Sequence, residues 1–250
     1  MPRWGQERCS VYRLSNSFVE RRFYVSLVGC GGTGGHAAES LCRLLPEHAD
    51  LILIDHDRVE ERNLARQNFV PGDVDGFKSE VLAKRLSQRF NRGVSYSTLP
   101  VSMVELPTPG IVIGCVDNGI ARGEIEKQAK KSFAPSCFSY PSWWVDAGNG
   151  DSYGQVIIGN GDKVQFYEKE PECCYELPLP TIQRPELLKQ APRPQSCAQN
   201  DEQNPTINLV MAAIVVDVVR RIIDGTCPWS QLYLDLEAGA LTPVYIPSPK

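Results

Sequence analysis

Seven consecutive residues constrain this chain more than any others: Gly29-Cys30-Gly31-Gly32-Thr33-Gly34-Gly35. They follow the apolar run Phe23–Val28 and open a segment of helical period over about residues 34–45. Glycines 29, 31 and 34 satisfy G-x-G-x-x-G, and Asp55 closes the next apolar run, residues 50–54. A turn without Cβ atoms lets the backbone approach phosphate, while the helix it opens offers unpaired N–H groups and a positive dipole end. Asp55 is then placed to accept hydrogen bonds from ribose hydroxyls. The order strand, turn, helix, strand, acid predicts a nucleotide-binding α/β unit. Alone, it does not choose between a dinucleotide and ATP.

The same rhythm continues. Residues 78–90 carry Val81, Leu82, Leu86 and Phe90 at helical spacing, a third strand lies within 94–104, and a fourth spans 111–116 before a polar helix over about 120–131. Strands alternating with helices imply a Rossmann-like, mostly parallel sheet with helices on both faces. After Pro141 the pattern changes. Residues 143–146, 155–158 and 163–167 read as strands too close together for helices between them, so the sheet is expected to continue antiparallel. Seven of the nineteen prolines fall between Glu170 and Thr206, which marks a long crossover loop at about 170–205. A buried helix over about 206–223, closed by Gly225, and a hairpin over 231–246 complete the chain. The organisation expected is an N-terminal arm, residues 1–22, and one domain, residues 23–250.

Composition narrows the function classes. At 250 residues and 42% hydrophobic content the chain can bury a core without disulfides or a structural metal. A net charge of −4 makes a nucleic-acid partner unlike this chain, since such binders present a basic face. Nine cysteines, an odd number with Cys173 and Cys174 adjacent, read as reduced thiols in a cytoplasm. The first 22 residues carry Arg3, Arg8, Arg13, Arg21 and Arg22 and no apolar stretch, so no signal peptide is expected. The longest apolar run, residues 207–216, stops at Asp217 and is too short to span a membrane.

The residues after Asp55 favour ATP. The stretch Ile54-Asp55-His56-Asp57-Arg58-Val59-Glu60-Glu61-Arg62-Asn63-Leu64-Ala65-Arg66-Gln67-Asn68-Phe69 continues to Gly76-Phe77-Lys78. A nicotinamide needs an apolar slot and nothing basic there, whereas Arg66 and Lys78 are placed to neutralise a triphosphate. Asp117, ending the fourth strand, stands where a carboxylate can hold Mg²⁺. Ligands of open sheets bind beyond the carboxyl ends of the strands, where Gly29, Asp55 and Asp117 all map.

The pattern D-x-D-x-V-x-x-x-N-L-x-R-Q, preceded by G-x-G-G-x-G and followed by Val116-Asp117-Asn118, resembles the ThiF/MoeB/HesA family over about residues 24–223. These are bacterial relatives of ubiquitin-activating enzymes. Gly154-Gln155-Val156 and Ile207-Asn208 look most like the ThiF-type members of bacterial PRTRC gene cassettes. The resemblance implies an ATP–Mg²⁺-dependent adenylyltransferase. Its substrate would be the C-terminal carboxylate of a small ubiquitin-like protein with a Gly-Gly-type end, activated as an acyl-adenylate with release of pyrophosphate. It further implies that Gly29, Gly31, Gly32 and Gly34 cradle the phosphates and that Asp55 and Asn63 hold the ribose and nucleotide. Arg66 and Lys78 would then stabilise the phosphates, Asp117 would bind Mg²⁺, and Gln67 would make a nearby polar contact. A homodimer is also implied, and the apolar 207–223 helix has surface to spare for one.

Plainer readings stand beside these. Asp57 either contacts the nucleotide or caps the following segment, Lys78 reads also as an ordinary solvated lysine at a helix start, and Asp117 as the N-cap of the next helix. His36, His48 and His56 show no ligand spacing. Many family members carry two C-x-x-C pairs, which this chain lacks, so a structural zinc is not predicted. Arg13 is only a loose match to the arginine that members supply to a partner subunit. Trp143, Trp144 and Tyr153 read either as walls of a channel for an extended tail or as core aromatics. Cys197 is the candidate that captures the activated carboxyl, with Cys173 and Cys174 as rivals at the start of the same loop; a plain loop thiol is the alternative. Adenylation of a tRNA-borne carboxylate, an NAD-dependent oxidoreductase and a non-catalytic nucleotide-binding scaffold are the competing functions.

Overall fold

The computed structural model describes residues 12–15, 18, 21–132, 142–189 and 204–249. In chain order its strands are β1 (Arg13–Leu14), β2 (Phe23–Val28), β3 (Ala49–Ile54), β4 (Val94–Ser97), β5 (Gly110–Gly114), β6 (Trp143–Asn149), β7 (Tyr153–Gly159), β8 (Gln165–Phe166), β9 (Cys173–Glu176), β10 (Trp229–Asp235) and β11 (Ala240–Tyr245). The helices are α1 (Gly32–Leu44), α2 (Lys78–Phe90), α3 (Gly119–Ser132), α4 (Pro180–Gln183) and α5 (Pro205–Ile223).

Eight strands form one sheet in the order β11-β10-β7-β6-β5-β2-β3-β4. The five from β4 to β6 are parallel, and β7, β10 and β11 extend the sheet antiparallel. The mixed α/β fold expected from the alternating runs is therefore present. From β2 the chain moves outward through β3 and β4, then returns to place β5 on the other side of β2. The reversal between β2 and β5 is a topological switch point, the crevice where open α/β sheets take ligands.

Each sheet face is covered separately. Val25, Leu27 and Leu53 pack with Leu41 of α1, Leu82 of α2 and Val215 of α5. Val28, Val112 and Trp144 pack with Ile125 of α3 and Leu179 on the other face. Helix α5 owes its length to its pattern: Asn204 caps it by accepting the Thr206 N–H at 2.9 Å, and Pro205 occupies the first turn. Its buried stripe, Ile207, Met211, Val215, Val218 and Ile222, repeats every three or four residues.

Three expectations need correction. Helix α1 starts at Gly32, not 34, because the glycines themselves enter the first turn. Of residues 163–167 only Gln165–Phe166 is a strand, and it pairs with β9 in a separate three-stranded sheet, β1-β9-β8. The arm is not wholly unpatterned either, since Arg13–Leu14 runs parallel to Cys173–Cys174, with Leu14 fully buried. The early part of the Pro-rich crossover is thus built structure, and Cys173 and Cys174 lie in a strand.

Candidate nucleotide site at the carboxyl ends of the parallel strands

The turn after β2 is shaped by what glycine lacks. Gly29 has a φ of +92°, a conformation that side chains oppose. A Cβ there would run into the Cys115 carbonyl, and one at Gly34 into the Gly29 carbonyl. A Cβ at Gly32 would lie 2.5 Å from the amide of Asn208, so α5 closes on the turn from above. Gly31 is the N-cap of α1 and supplies no side-chain bond. The start of this 13-residue helix therefore has no side-chain cap, which leaves its first amides to an anion.

Asp55, just past β3, ties the turn down. Its Oδ2 accepts the Cys30 N–H at 2.7 Å and its Oδ1 the Asp57 N–H at 2.8 Å. Burial raises its carboxyl pKa, only partly opposed by those two N–H bonds and by Lys78. The carboxylate keeps further lone pairs for hydroxyl donors. Asp57 is exposed and forms an ion pair with Lys78 Nζ at 3.0 Å, while the Lys78 N–H donates to the Asp57 carbonyl at 2.9 Å. The carboxylate of Asp57 therefore faces Lys78 rather than capping the segment behind it. Asp55, His56 and Asp57 lie within 4.8 Å of one another, but two amides and Lys78 already engage the carboxylates.

Lys78 opens α2 with its side chain 10% exposed. A buried cation at a helix N-terminus opposes the macrodipole and is costly to desolvate. An ordinary solvated lysine would not sit so, and Asp57 is the charge that offsets it. Asn63, 5% exposed, accepts the Glu60 N–H through Oδ1 at 3.0 Å and locks the short helical turn Glu61–Asn63. That turn leads to Arg66, half-buried, and to Gln67, whose amide would lie 3.8 Å from a Cβ placed on Gly31. Gln67 Oε1 is buried with no hydrogen-bond partner.

Asp117 stands exposed past β5 and accepts from Asn118 Nδ2 at 3.0 Å. Asn118, not Asp117, caps α3, through Oδ1 to the Ala121 N–H at 2.8 Å. Gly29, Gly31, Gly32, Gly34, Asp55, Asp57, Asn63, Arg66, Gln67, Lys78 and Asp117 are thus carried by the segments that leave β2, β3 and β5 at one end of the sheet.

Other predicted residues fall elsewhere. Trp143 and Trp144 are fully buried in the two cores and line no channel, whereas Tyr153 is 67% exposed. Burial pushes the thiols of Cys173 and Cys174 up to about 11 and about 12. As buried strand residues with raised pKa values they are poor nucleophiles in this arrangement. Cys197 lies outside the described residues.

Two polar groupings leave no local signal in the sequence. Thr33 Oγ1 donates to Asn149 Oδ1 at 3.0 Å, Asn149 Nδ2 donates to Asn208 Oδ1 at 3.2 Å, and Asn208 Nδ2 reaches the Arg66 carbonyl at 3.4 Å. This network joins α1, β6 and α5 to the Arg66 segment. The second is a buried ion pair, Arg122 with Asp146.

The donor set fits a nucleoside triphosphate: a turn whose crowding excludes Cβ atoms, an uncapped helix start and a sequestered lysine. Comparison with known proteins agrees. A sequence profile described as the ThiF family matches residues 19–237. Ubiquitin-like modifier-activating enzyme 5 of Drosophila grimshawi is 26% identical over 175 residues, 63% of this chain and 40% of that protein. The Culex quinquefasciatus protein of the same name is 28% identical over 180 residues, 65% and 41% of the two chains. This chain spans about two fifths of the length of these curated relatives. Among solved structures, E. coli MccB crystallised with ATP superposes with a TM-score of 0.65 at 20% identity, covering 91% of this chain and 65% of that one. PaaA gives 0.63 at 21% identity, covering 90% and 73%. Glycine turn, acidic strand end and profile match converge: the chain belongs to the ThiF family.

Proposed function

We propose that the protein is an ATP- and Mg²⁺-dependent adenylyltransferase that activates the C-terminal carboxylate of a small ubiquitin-like protein ending in Gly-Gly. The observation that carries this reading is the sequestered Lys78, held by Asp57 beside the glycine turn. A protein that bound no polyphosphate would gain nothing from burying a cation there. The relatives named for ubiquitin-like modifier activation support the choice of substrate.

In this reading the α1 amides and the glycine turn receive the phosphates, Asp55 and Asn63 hold the ribose and nucleotide, and Gln67 supplies a nearby polar contact. Arg66 and Lys78 neutralise charge around the α-phosphorus as the substrate carboxylate attacks it. The bond from that phosphorus to the bridging oxygen breaks, and pyrophosphate leaves with the electron pair. No acid–base pair is needed, because such transfer depends on positioning and charge stabilisation. Asp117 would hold Mg²⁺, which supplies charge neutralisation on the phosphate oxygens.

A second copy of the chain is the partner proposed for the outer stripe of α5, where Leu209 is 51% exposed beside Val210 and Ala213. The compartment proposed is the cytoplasm: Cys30, Cys42, Cys115, Cys173, Cys174 and Cys227 are all free thiols. Among the described residues no helix is long and apolar enough to cross a membrane. Thermal denaturation tests the nucleotide assignment. ATP with Mg²⁺ is expected to raise the melting temperature while NAD does not; equal stabilisation by NAD would overturn it.

A further inference from the structure

The buried ion pair behind Asp117 has no part in the function proposed so far. Asp146, fully buried in β6, takes the Arg122 Nε on both carboxylate oxygens, each at 3.1 Å. Arg122 Nη2 then donates to the Val116 carbonyl at 2.7 Å. Val116 immediately precedes Asp117. On the other side of Asp117, Asn118 is fixed as the α3 cap, and its carbonyl accepts the Arg122 N–H at 3.4 Å. The backbone before Asp117 is therefore held by the Arg122 guanidinium, and the backbone after it by the first turn of α3 that Asn118 caps.

The sheet makes room for this grip. Gly114 pairs with Asp146 across β5 and β6, and a Cβ on Gly114 would lie 3.1 Å from Asp146 Oδ1. A Cβ on Gly148 would lie 3.2 Å from Arg122 Nη2. Replacing a buried ion pair by apolar side chains is often neutral or stabilising. Stability therefore gives no strong reason for the pair, whereas a need to fix a carboxylate at the strand end does.

We propose that Arg122 and Asp146 are positioning residues whose ion pair, through the Val116 carbonyl, holds Asp117 where a polyphosphate-bound divalent cation is met. The proposal rests on the reading of Asp117 as the metal carboxylate. Arginine is required because its planar fork spans a carboxylate and a carbonyl together, which a single ammonium cannot do.

The test uses calorimetric titration of ATP at graded Mg²⁺ concentrations, with circular dichroism to confirm folding. Arg122→Lys should raise the Mg²⁺ concentration that gives half the gain in ATP affinity by tenfold or more, leaving affinity for metal-free ATP within twofold. Gly148→Ala keeps the pair but crowds Nη2, so a smaller rise in the same direction is expected even where Arg122→Lys folds poorly. Hydrogen exchange in the free protein should show the Ala121 and Arg122 amides, which bond to Asn118, losing protection in both variants. A folded variant pair with the wild-type Mg²⁺ response and unchanged protection overturns the proposal. Asp117→Asn separates the two ideas. If it abolishes the Mg²⁺ response while Arg122→Lys and Gly148→Ala keep it, positioning alone is wrong. If Asp117→Asn itself keeps the response, the metal reading falls and the proposal with it.

Discussion

Asp146 should give wild-type stability a distinctive dependence on pH. Burial raises its pKa from 3.8 to about 6, outweighing the opposing attraction of Arg122. The folded state therefore binds this proton more tightly than the unfolded state. Its contribution to stability is fully present below about pH 4 and is lost as pH rises through about 6. A tenfold change in proton affinity is worth about 1.4 kcal/mol, so the full loss is about 3 kcal/mol. Asp146→Asn keeps the shape and removes the titration. Urea unfolding of both proteins between pH 4 and pH 7.5 isolates the residue, since every other group is common to the pair. The stability of wild type relative to Asp146→Asn should fall by about 2–3 kcal/mol over that range, and most of the fall should lie below pH 6.5. A relative gain with rising pH would mean that Arg122 outweighs burial, and would refute the predicted sign.

Three further outcomes are expected. Gly34→Ala places a Cβ against the Gly29 carbonyl, backbone that cannot swing away; it should abolish the ATP-induced rise in melting temperature and lower the stability of the free protein. Leu209→Asp on the outer stripe of α5 should convert a dimer to a single chain by light scattering; a wild-type mass of one chain at micromolar concentration would contradict the dimer. If Cys197 captures the activated acyl group, its thiolate attacks the acyl carbon, AMP leaves and a thioester forms. Denaturing electrophoresis should then show a reducible adduct with the activated partner in wild type and none in Cys197→Ala, with pyrophosphate exchange retained in both.

The parallel half of the sheet is legible in the sequence because its residues obey simple rules. Phe23–Val28 and the run ending at Ile54 are mostly apolar segments, interrupted only by Ser26 and Asp50, and buried parallel strands read that way. The hairpin at β10 and β11 is legible too, although its docking on β7 through Gln231 and Ile157 is not, since register between distant segments leaves no local trace. The small sheet escapes a sequence reading for a different reason. Two residues such as Arg13–Leu14 have no period, and Leu14 finds its cover near Cys174 and Cys227, far along the chain.

The candidate site divides in the same way. Gly29 and Gly34 can be read directly, because a turn with no room for Cβ admits one residue type. Lys78 looks like any lysine at a helix start until its partner, Asp57, is found 3.0 Å away. Asp146 looks like the polar end of a short strand, yet β6 runs on to Asn149 and buries the carboxylate completely. Its partner lies on α3, a helix that reads as solvated. Burial of a charge is a property of tertiary packing, and hydrophobic periodicity does not report it.

Exchange of labelled pyrophosphate into ATP tests the central claim most directly. The probe is a purified ubiquitin-fold protein ending in a free Gly-Gly carboxylate, run beside its C-terminal amide and beside bulk tRNA. Formation of an acyl-adenylate predicts exchange that requires Mg²⁺ and the free carboxylate, disappears with the amide and is absent with tRNA. Exchange supported by tRNA and not by the protein, or ATP binding with no carboxylate-dependent exchange, would contradict it.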